Sequence, residues 1–327
     1  YHRIEDNLPL TAEGAAAGEV KAGTAYTVVS YNMGFGAYES DYSFFMDGGT
    51  ESWAWSKERL DTNLKNITEL LKEQNADFYF VEEVDTDATR SYHRNEADIL
   101  RGALTGYSSV WGQNYDSPFL FWPLTQPHGA SESGLMTFSS APIASSLRRS
   151  LPIETGVMKL VDLDRCYTVS RVPMENGKEL VLYAVHLSAY TSDGVIANEQ
   201  AEMLLSDMQS EYEKGNYCIC GGDFNKDLLG NSEEVFGISA GDYTWAQPLP
   251  EELFRDKNIT LVPPLDPENP VPSCRNADAP YHEGQYVVTV DGFLVSDNVT
   301  VNSATVIDTG FAYSDHNPVT MTFTLHP

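Results

Sequence analysis

Short apolar runs that end abruptly in polar residues constrain this chain more than any other feature. They are strand-length, they recur from near residue 30 to near residue 316, and each closes on side chains able to do chemistry. The polar islands are Ser30-Tyr31-Asn32, Glu82-Glu83-Val84-Asp85, Val185-His186-Leu187, Gly222-Asp223-Phe224-Asn225, Val290-Asp291-Gly292 and Ser314-Asp315-His316-Asn317-Pro318. Apolar strands buried on both faces read as continuous runs, so their polar ends mark where a sheet opens to solvent. The pattern predicts strands over Thr24 to Ser30, Phe78 to Val81, Gly134 to Ser139, Tyr167 to Arg171, Glu179 to Val185 and Tyr217 to Cys220. It predicts more at Val287 to Val290, Phe293 to Val295, Val299 to Val306 and Val319 to Leu325. Helical spacing of Leu60, Leu64, Ile67 and Leu71 predicts a helix over Trp53 to Gln74. Shorter helices are expected over Glu96 to Leu104 and Asn198 to Tyr212. Strands outnumber helices without strict alternation, which favours a mixed-sheet α/β sandwich over a parallel doubly wound sheet.

At 327 residues and 42% hydrophobic content the chain has material for one large α/β domain, placed over residues 24–327 because the islands span that stretch. Residues 1–23, with the Ala/Gly/Glu-rich Thr11 to Gly23, lack apolar periodicity and are expected to be a tail or linker, or a frayed terminus. Two stretches read as insertions that shape a substrate site: Trp111 to Ser133, rich in aromatics, and Asp227 to Ala279, acidic and Pro-rich. No apolar stretch reaches the ~18 residues of a membrane span. The start at Tyr1 leaves room for a removed targeting segment, so an extracellular or membrane-anchored location is expected, with a cytoplasmic one open. Cys218 and Cys220 alternate on one strand face as buried hydrophobes, while Cys166 and Cys274 are left open as a bridge.

The formal charge of −28 excludes a broad basic surface for nucleic acid, since non-specific binding needs Lys and Arg to displace counterions. A small cationic cleft or a divalent metal would still handle one phosphate. In order and content the islands resemble the endonuclease/exonuclease/phosphatase superfamily, whose members include pancreatic-type deoxyribonucleases, abasic-site endonucleases, inositol polyphosphate 5-phosphatases and bacterial neutral sphingomyelinases. The Gly-Asp-Phe-Asn run and the late Ser-Asp-His carry the resemblance most specifically. It implies a four-layer sandwich of two mixed, mainly antiparallel sheets flanked by helices, with the site at one end of the sheets.

The resemblance also implies roles. Glu83 matches the metal-binding glutamate and Asn32 the metal-proximal asparagine, with Asp315 close by; Mg²⁺, or Mn²⁺, suits such hard oxygen ligands. Taken singly, Asn32 and Glu83 read equally as polar groups at strand ends. Asp223 is expected to orient or deprotonate water, and Asn225, pointing the same way in an extended strand, to donate to a phosphoryl oxygen. His186 matches a histidine that contacts phosphate or assists the leaving group. His316 matches the central histidine, as base or as imidazolium, and Asp291 fits its orienting carboxylate. Glu82 stands where Gln is commoner and is expected to add charge near the site. Lys226 and Arg275 are candidate phosphate contacts, against a plain reading as solvated surface residues. The expected function is a metal-dependent phosphoester hydrolase, monomeric, acting on a small or lipid-linked phosphoester. A nuclease and a non-catalytic binding module are the alternatives.

Overall fold

Along β-strands of this chain both faces are apolar because both are covered, one by a second sheet and one by helices. The computed structural model describes residues 3–153, 164–189 and 194–327. Its strands begin with β1 (Leu8–Leu10), β2 (Ala25–Asn32), β3 (Phe78–Ala88), β4 (Ser108–Leu120) and β5 (Gly129–Ser139). They continue with β6 (Ser145–Ser150), β7 (Cys166–Pro173), β8 (Glu179–His186), β9 (Tyr217–Asp223) and β10 (Ile259–Val262). The last are β11 (Cys274–Arg275), β12 (Val287–Val288), β13 (Asp291–Ser296), β14 (Val299–Val306) and β15 (Val319–Leu325). The α-helices are α1 (Lys57–Gln74), α2 (Glu96–Ala103), α3 (Val195–Glu213) and the short α4 (Ser232–Phe236). No helix among the described residues is long and apolar enough to cross a membrane.

One sheet has seven strands in the order β1-β6-β7-β8-β9-β13-β10, the other six in the order β14-β15-β2-β3-β5-β4. Each is antiparallel except for one pair, β8–β9 in the first and β2–β3 in the second. In each parallel pair a helix, α3 or α1, lies in the crossover between the two strands, as parallel connection requires. Alternate residues sort into layers. Phe78 and Phe80 of β3 meet Leu180, Leu182 and Ala184 of β8 between the sheets. Tyr79 and Val81 turn outward to Leu60, Leu64 and Leu71 of α1, while Val181, Tyr183 and Val185 turn to Leu204, Leu205 and Met208 of α3. The result is the expected four-layer α/β sandwich. Cys218 and Cys220 share the α3-facing layer, and all four cysteines are buried and unbridged.

Two regions differ from their sequence reading. Residues 1–23 were expected to be a tail; their described part instead runs along the domain, with β1 paired to β6, Gly18 N–H donating to Ser140 O, Gly23 N–H to Leu325 O, and Val20 buried. Backbone pairing holds this stretch in the absence of apolar periodicity. Trp111 to Ser133 is not an irregular insert but most of the long β4–β5 hairpin. Its strands carry glycines where neighbours press close: a Cβ on Gly112 would lie 2.5 Å from the Thr168 methyl, and one on Gly134 would lie 2.4 Å from the Trp111 ring. Such residues weaken the strand signal while fitting the packing.

Candidate active site

Parallel strand pairs deliver their carboxyl ends to the same edge of a sheet, and here the two pairs deliver them toward each other. In register, Asn32 of β2 stands beside Glu82 of β3, His186 of β8 beside Asp223 of β9, and Asp223 beside Asp291 of β13. Asn32 Nδ2 donates to Asp223 Oδ2 at 3.0 Å, a direct link between sheets. The loop before β15 closes the group, with Ser314 Oγ donating to Asn32 O at 2.7 Å.

A chain of side chains results. His316 Nδ1 lies 2.7 Å from Asp291 Oδ2, its Nε2 lies 3.5 Å from Asp223 Oδ2, and Asp223 Oδ2 lies 3.4 Å from His186 Nε2. Burial works against charge on His316, yet the facing carboxylates of Asp291, Asp315 and Asp223, with the Cys274 sulfur, raise its pKa well above the usual imidazole range. Burial lowers His186 well below that range, and the charges of Arg165, His316 and Arg90 reinforce it. The two imidazoles therefore differ: the surroundings of His316 favour its protonated form and those of His186 its neutral form. Burial pushes the Asp223 carboxyl up to about 7, with Asp291 adding, while His316 and the donors Asn225 N–H and Asn32 oppose the rise. A carboxyl near neutrality is suited to exchanging a proton with water.

Glu83 and Asp315 face the cleft beside this chain. Glu83 sits in a β-bulge, where two residues of β3, Glu82 and Glu83, oppose one of β5, and its φ is +54°. The bulge re-aims the pair. Glu83 turns into the cleft, whereas Glu82 is fully buried and accepts from Ser30 Oγ at 3.0 Å. Burial and the nearby Asp291 and Asp223 raise Glu82 well above the carboxylate range. The expectation that Glu82 adds charge is thus corrected: its burial under the site favours the neutral acid. Glu83 and Asp315 are also raised, burial first, and neither is in an ion pair among the described residues. Two half-buried carboxylates with no ion-pair contact among the described residues, and with Arg90, His316 and Arg275 acting on them only from farther off, fit a hard divalent cation, which takes one or two carboxylates from a protein. Asp223, Asp291 and His316 also present one donor atom each within 4.8 Å of one another, a second candidate ligand group, in which His316 Nδ1 and Asp291 Oδ2 are bonded to each other and Asp291 Oδ1 is buried without a partner among the described residues.

Four further expectations are corrected. Asn32 Oδ1 accepts from Gly34 N–H at 3.0 Å, so its amide nitrogen, not its oxygen, faces Glu83 and Asp223. It positions carboxylates rather than offering a metal ligand. Asn225 is not extended: its φ is +49° and its Nδ2 donates to Leu187 O at 2.7 Å, locking the loop after β9 onto the end of β8. Lys226 is buried with its Nζ near Gly194, away from the residues lining the cleft. Arg275 is 1% exposed, and its guanidinium donates to the carbonyls of Glu39, Tyr42, Asn276 and Ala279. It lines the cleft, where it staples the surrounding loops to one another. Accordingly Arg275→Lys, which cannot span four acceptors, is expected to cost about 2–4 kcal/mol in chemical denaturation with KM unchanged. A raised KM at unchanged denaturation midpoint would restore the substrate-binding reading.

Sequence reasoning missed several supporting residues. Ser273 Oγ donates to Asp291 Oδ2 at 2.7 Å and so fixes the carboxylate that holds His316. Cys274 Sγ lies 3.7 Å from His316 Nε2. The cleft, about 360 Å³, is further walled by Tyr38, Phe44, Tyr115, His128, Tyr243 and Trp245, with Arg90 and Arg165 as cations. Arg90 is bonded through two nitrogens to Asp85. None of these follows an apolar strand in a recognisable motif, so only spatial convergence reveals them.

Comparison with known proteins agrees with this geometry. The family model described as "Endonuclease/Exonuclease/phosphatase family" matches residues 29–316. Among solved structures, an endonuclease/exonuclease/phosphatase from Beutenbergia cavernae is 17% identical, with a TM-score of 0.60 over 92% of this chain and 72% of that one. The human Nocturnin catalytic domain with bound sulfate is 18% identical, with a TM-score of 0.57 over 97% of each. ANGEL2, a 2',3'-cyclic phosphatase in complex with adenosine-2',3'-vanadate, is 17% identical, with a TM-score of 0.61 over 95% of this chain and all of that one. A search of curated proteins gave no match.

Proposed function

The chain belongs to the endonuclease/exonuclease/phosphatase family, and from that premise we propose that it is a divalent-metal-dependent hydrolase of a small or lipid-linked phosphoester. The observation that carries this reading is the His316 ring held at 2.7 Å by Asp291 and facing Asp223 at 3.5 Å, beside the unpaired cleft carboxylates. Asp223 is placed to take a proton from water. Its oxygen is steadied by Asn32, and the Asn225 N–H bonds its other oxygen. His316, as an imidazolium, faces the negative charge that builds on phosphorus-bound oxygens. His186, favoured as the neutral imidazole, would hydrogen-bond phosphate or the departing oxygen through its one N–H without giving up that proton. Glu83 and Asp315 would hold Mg²⁺ or Mn²⁺, which when bound supplies charge neutralisation to the phosphoryl group.

A compact acceptor is favoured because the chain at −28 repels an extended polyanion and Arg90 in the cleft is already taken by Asp85. The ANGEL2 neighbour is described as a 2',3'-cyclic phosphatase, which is in keeping with a small diester on this fold. The proposal includes action as a monomer in an extracellular or membrane-anchored setting. Hydrolysis of a chromogenic phosphodiester is expected to vanish on chelation with EDTA and return with Mg²⁺ or Mn²⁺, and Glu83→Gln is expected to lower it about 10²-fold. Unchanged turnover in both cases overturns the metal assignment. A panel of lipid, inositol, cyclic-nucleotide and DNA phosphates then ranks substrates by kcat/KM. Plasmid DNA cleaved in preference to all the others would make the protein a nuclease.

A further inference from the structure

The tip of the β4–β5 hairpin is unlike the rest of this acidic surface. From Ser117 to Ser131 there is no Asp, Glu, Lys or Arg, in a chain with 48 acidic and 20 basic residues. Within that stretch Phe119, Phe121, Trp122 and Leu124 are 48%, 73%, 63% and 76% exposed. Large apolar side chains clustered at such exposure mark an interaction site. The loop that presents them is tied down from behind: Trp53 Nε1 donates to Pro127 O at 2.7 Å, Ser52 Oγ to Gln126 O at 2.8 Å, and His128 N–H to Trp122 O at 3.1 Å. The apolar residues are thus held outward by the structure rather than left there by fraying.

We propose that this tip inserts Phe119, Phe121, Trp122 and Leu124 into the headgroup–acyl boundary of a zwitterionic lipid bilayer, holding the cleft against the surface from which it draws its substrate. The inference rests on the lipid-linked part of the function proposed above. Two features select a bilayer over a protein. Protein interfaces surround their apolar centre with a polar, hydrogen-bonding rim, whereas this projection is aromatic and aliphatic and carries no charge. Trp, Phe and Leu are the residues that favour the interfacial zone of a membrane. The chain's net charge selects the lipid: at −28 it is repelled by an anionic leaflet, and the tip offers no Lys or Arg to overcome that repulsion. Continuity with the site supplies the function. Asn114, Tyr115, His128 and Ser133 of the same hairpin line the cleft, and Met46 and Tyr243, also cleft-lining, are 37% and 38% exposed. The one hairpin therefore runs from the exposed tip to the wall of the cleft.

The test is co-sedimentation of the whole chain with phosphatidylcholine vesicles, alongside hydrolysis of a soluble chromogenic phosphodiester. The wild type is expected to sediment, with little dependence on salt and less binding when phosphatidylserine is added. The combined Phe121→Ser, Trp122→Ser and Leu124→Ser variant is expected to lose about tenfold or more in vesicle partitioning while hydrolysing the soluble diester at close to the wild-type rate. Leu124→Ser alone, the mildest change, should show a partial loss and guards against misfolding of the triple variant. The proposal is overturned if the wild type stays in the supernatant, if binding rises with phosphatidylserine, or if the wild type is a dimer that the triple variant dissociates. The last result would assign the tip to a second copy of the chain. A wild type that turns over the soluble diester but does not bind vesicles removes this inference alone; a wild type that binds vesicles without any turnover removes the hydrolase reading alone.

Discussion

His316→Ala is expected to lower kcat for a soluble phosphodiester by about 10²–10⁴-fold, the range for removing a positioned proton-transfer or charge-stabilising group. The ring joins Asp291 at 2.7 Å to Asp223 at 3.5 Å, so its loss removes the only positive charge in that chain and leaves Asp291 without its partner. Asp223 then loses the charge that restrains its upward shift and is protonated over a wider pH range, weakening its ability to take a proton from water. Two effects thus fall on one step. KM should move much less than kcat, because the interaction lost is strongest once charge has developed on phosphate. His316→Gln, which fills the space without a charge, should be nearly as slow. A folded alanine variant with near-normal kcat would remove His316 from the reaction.

Gly222→Ala is expected to have the largest effect on stability. Gly222 pairs with Val185 across the parallel β8–β9 ladder at a φ of +157°, and a Cβ there would stand 1.9 Å from Val185 O. Neither that carbonyl nor its strand can yield without disturbing His186, the next residue. A cost of about 4 kcal/mol or more is expected, the range of backbone clashes and strain. At this chain length that corresponds to a fall of roughly 6 °C or more in Tm. Gly177, with a φ of +78° but nothing within 4 Å of its would-be Cβ, is the contrast. Gly177→Ala should cost only about 1 kcal/mol, from conformation alone. Equal Tm losses for the two variants would show that the space around Gly222 is not what demands glycine.

The strand ends were legible in sequence because a strand covered on both faces cannot hide where its cover stops. Leu180 to Val185 and Phe78 to Val81 are continuous runs, and His186 and Glu82-Glu83 follow at once. The groups on those ends, His186, Asp223, Asp291, His316, Glu83 and Asp315, all converge on the cleft or its floor. Orientation was not legible. Alternation alone puts Glu82 and Glu83 on opposite faces but does not say which faces the cleft; the bulge opposite Leu135 decides it. Asn225 was read as extended because it lies two residues beyond Asp223, yet the Asp223 side chain accepts its N–H at 2.8 Å and turns the backbone left-handed. Arg275 looked like a free cation because a sequence shows its charge but not the four carbonyls around it. Residues 111–133 read as an insertion for a related reason. Gly112 and Pro118 are poor strand formers in isolation, and Gly112 suits this hairpin because of the Thr168 methyl packed beside it.

The bond from Ser314 to the carbonyl of Asn32 spans 282 positions of chain, and that from Asn32 to Asp223 spans 191. Contacts so distant in sequence carry a high closure entropy and are made late in folding, after local hairpins and crossovers have formed. The catalytic centre is consequently a report on completed folding. A chain with the β2–β3 and β8–β9 units formed but β15 undocked would hold Glu83, His186 and Asp223 and still lack His316 at its place among them. For the hydrolase proposed above, activity would then be gained in one late step rather than by degrees, and partly folded forms would not act on phosphoesters.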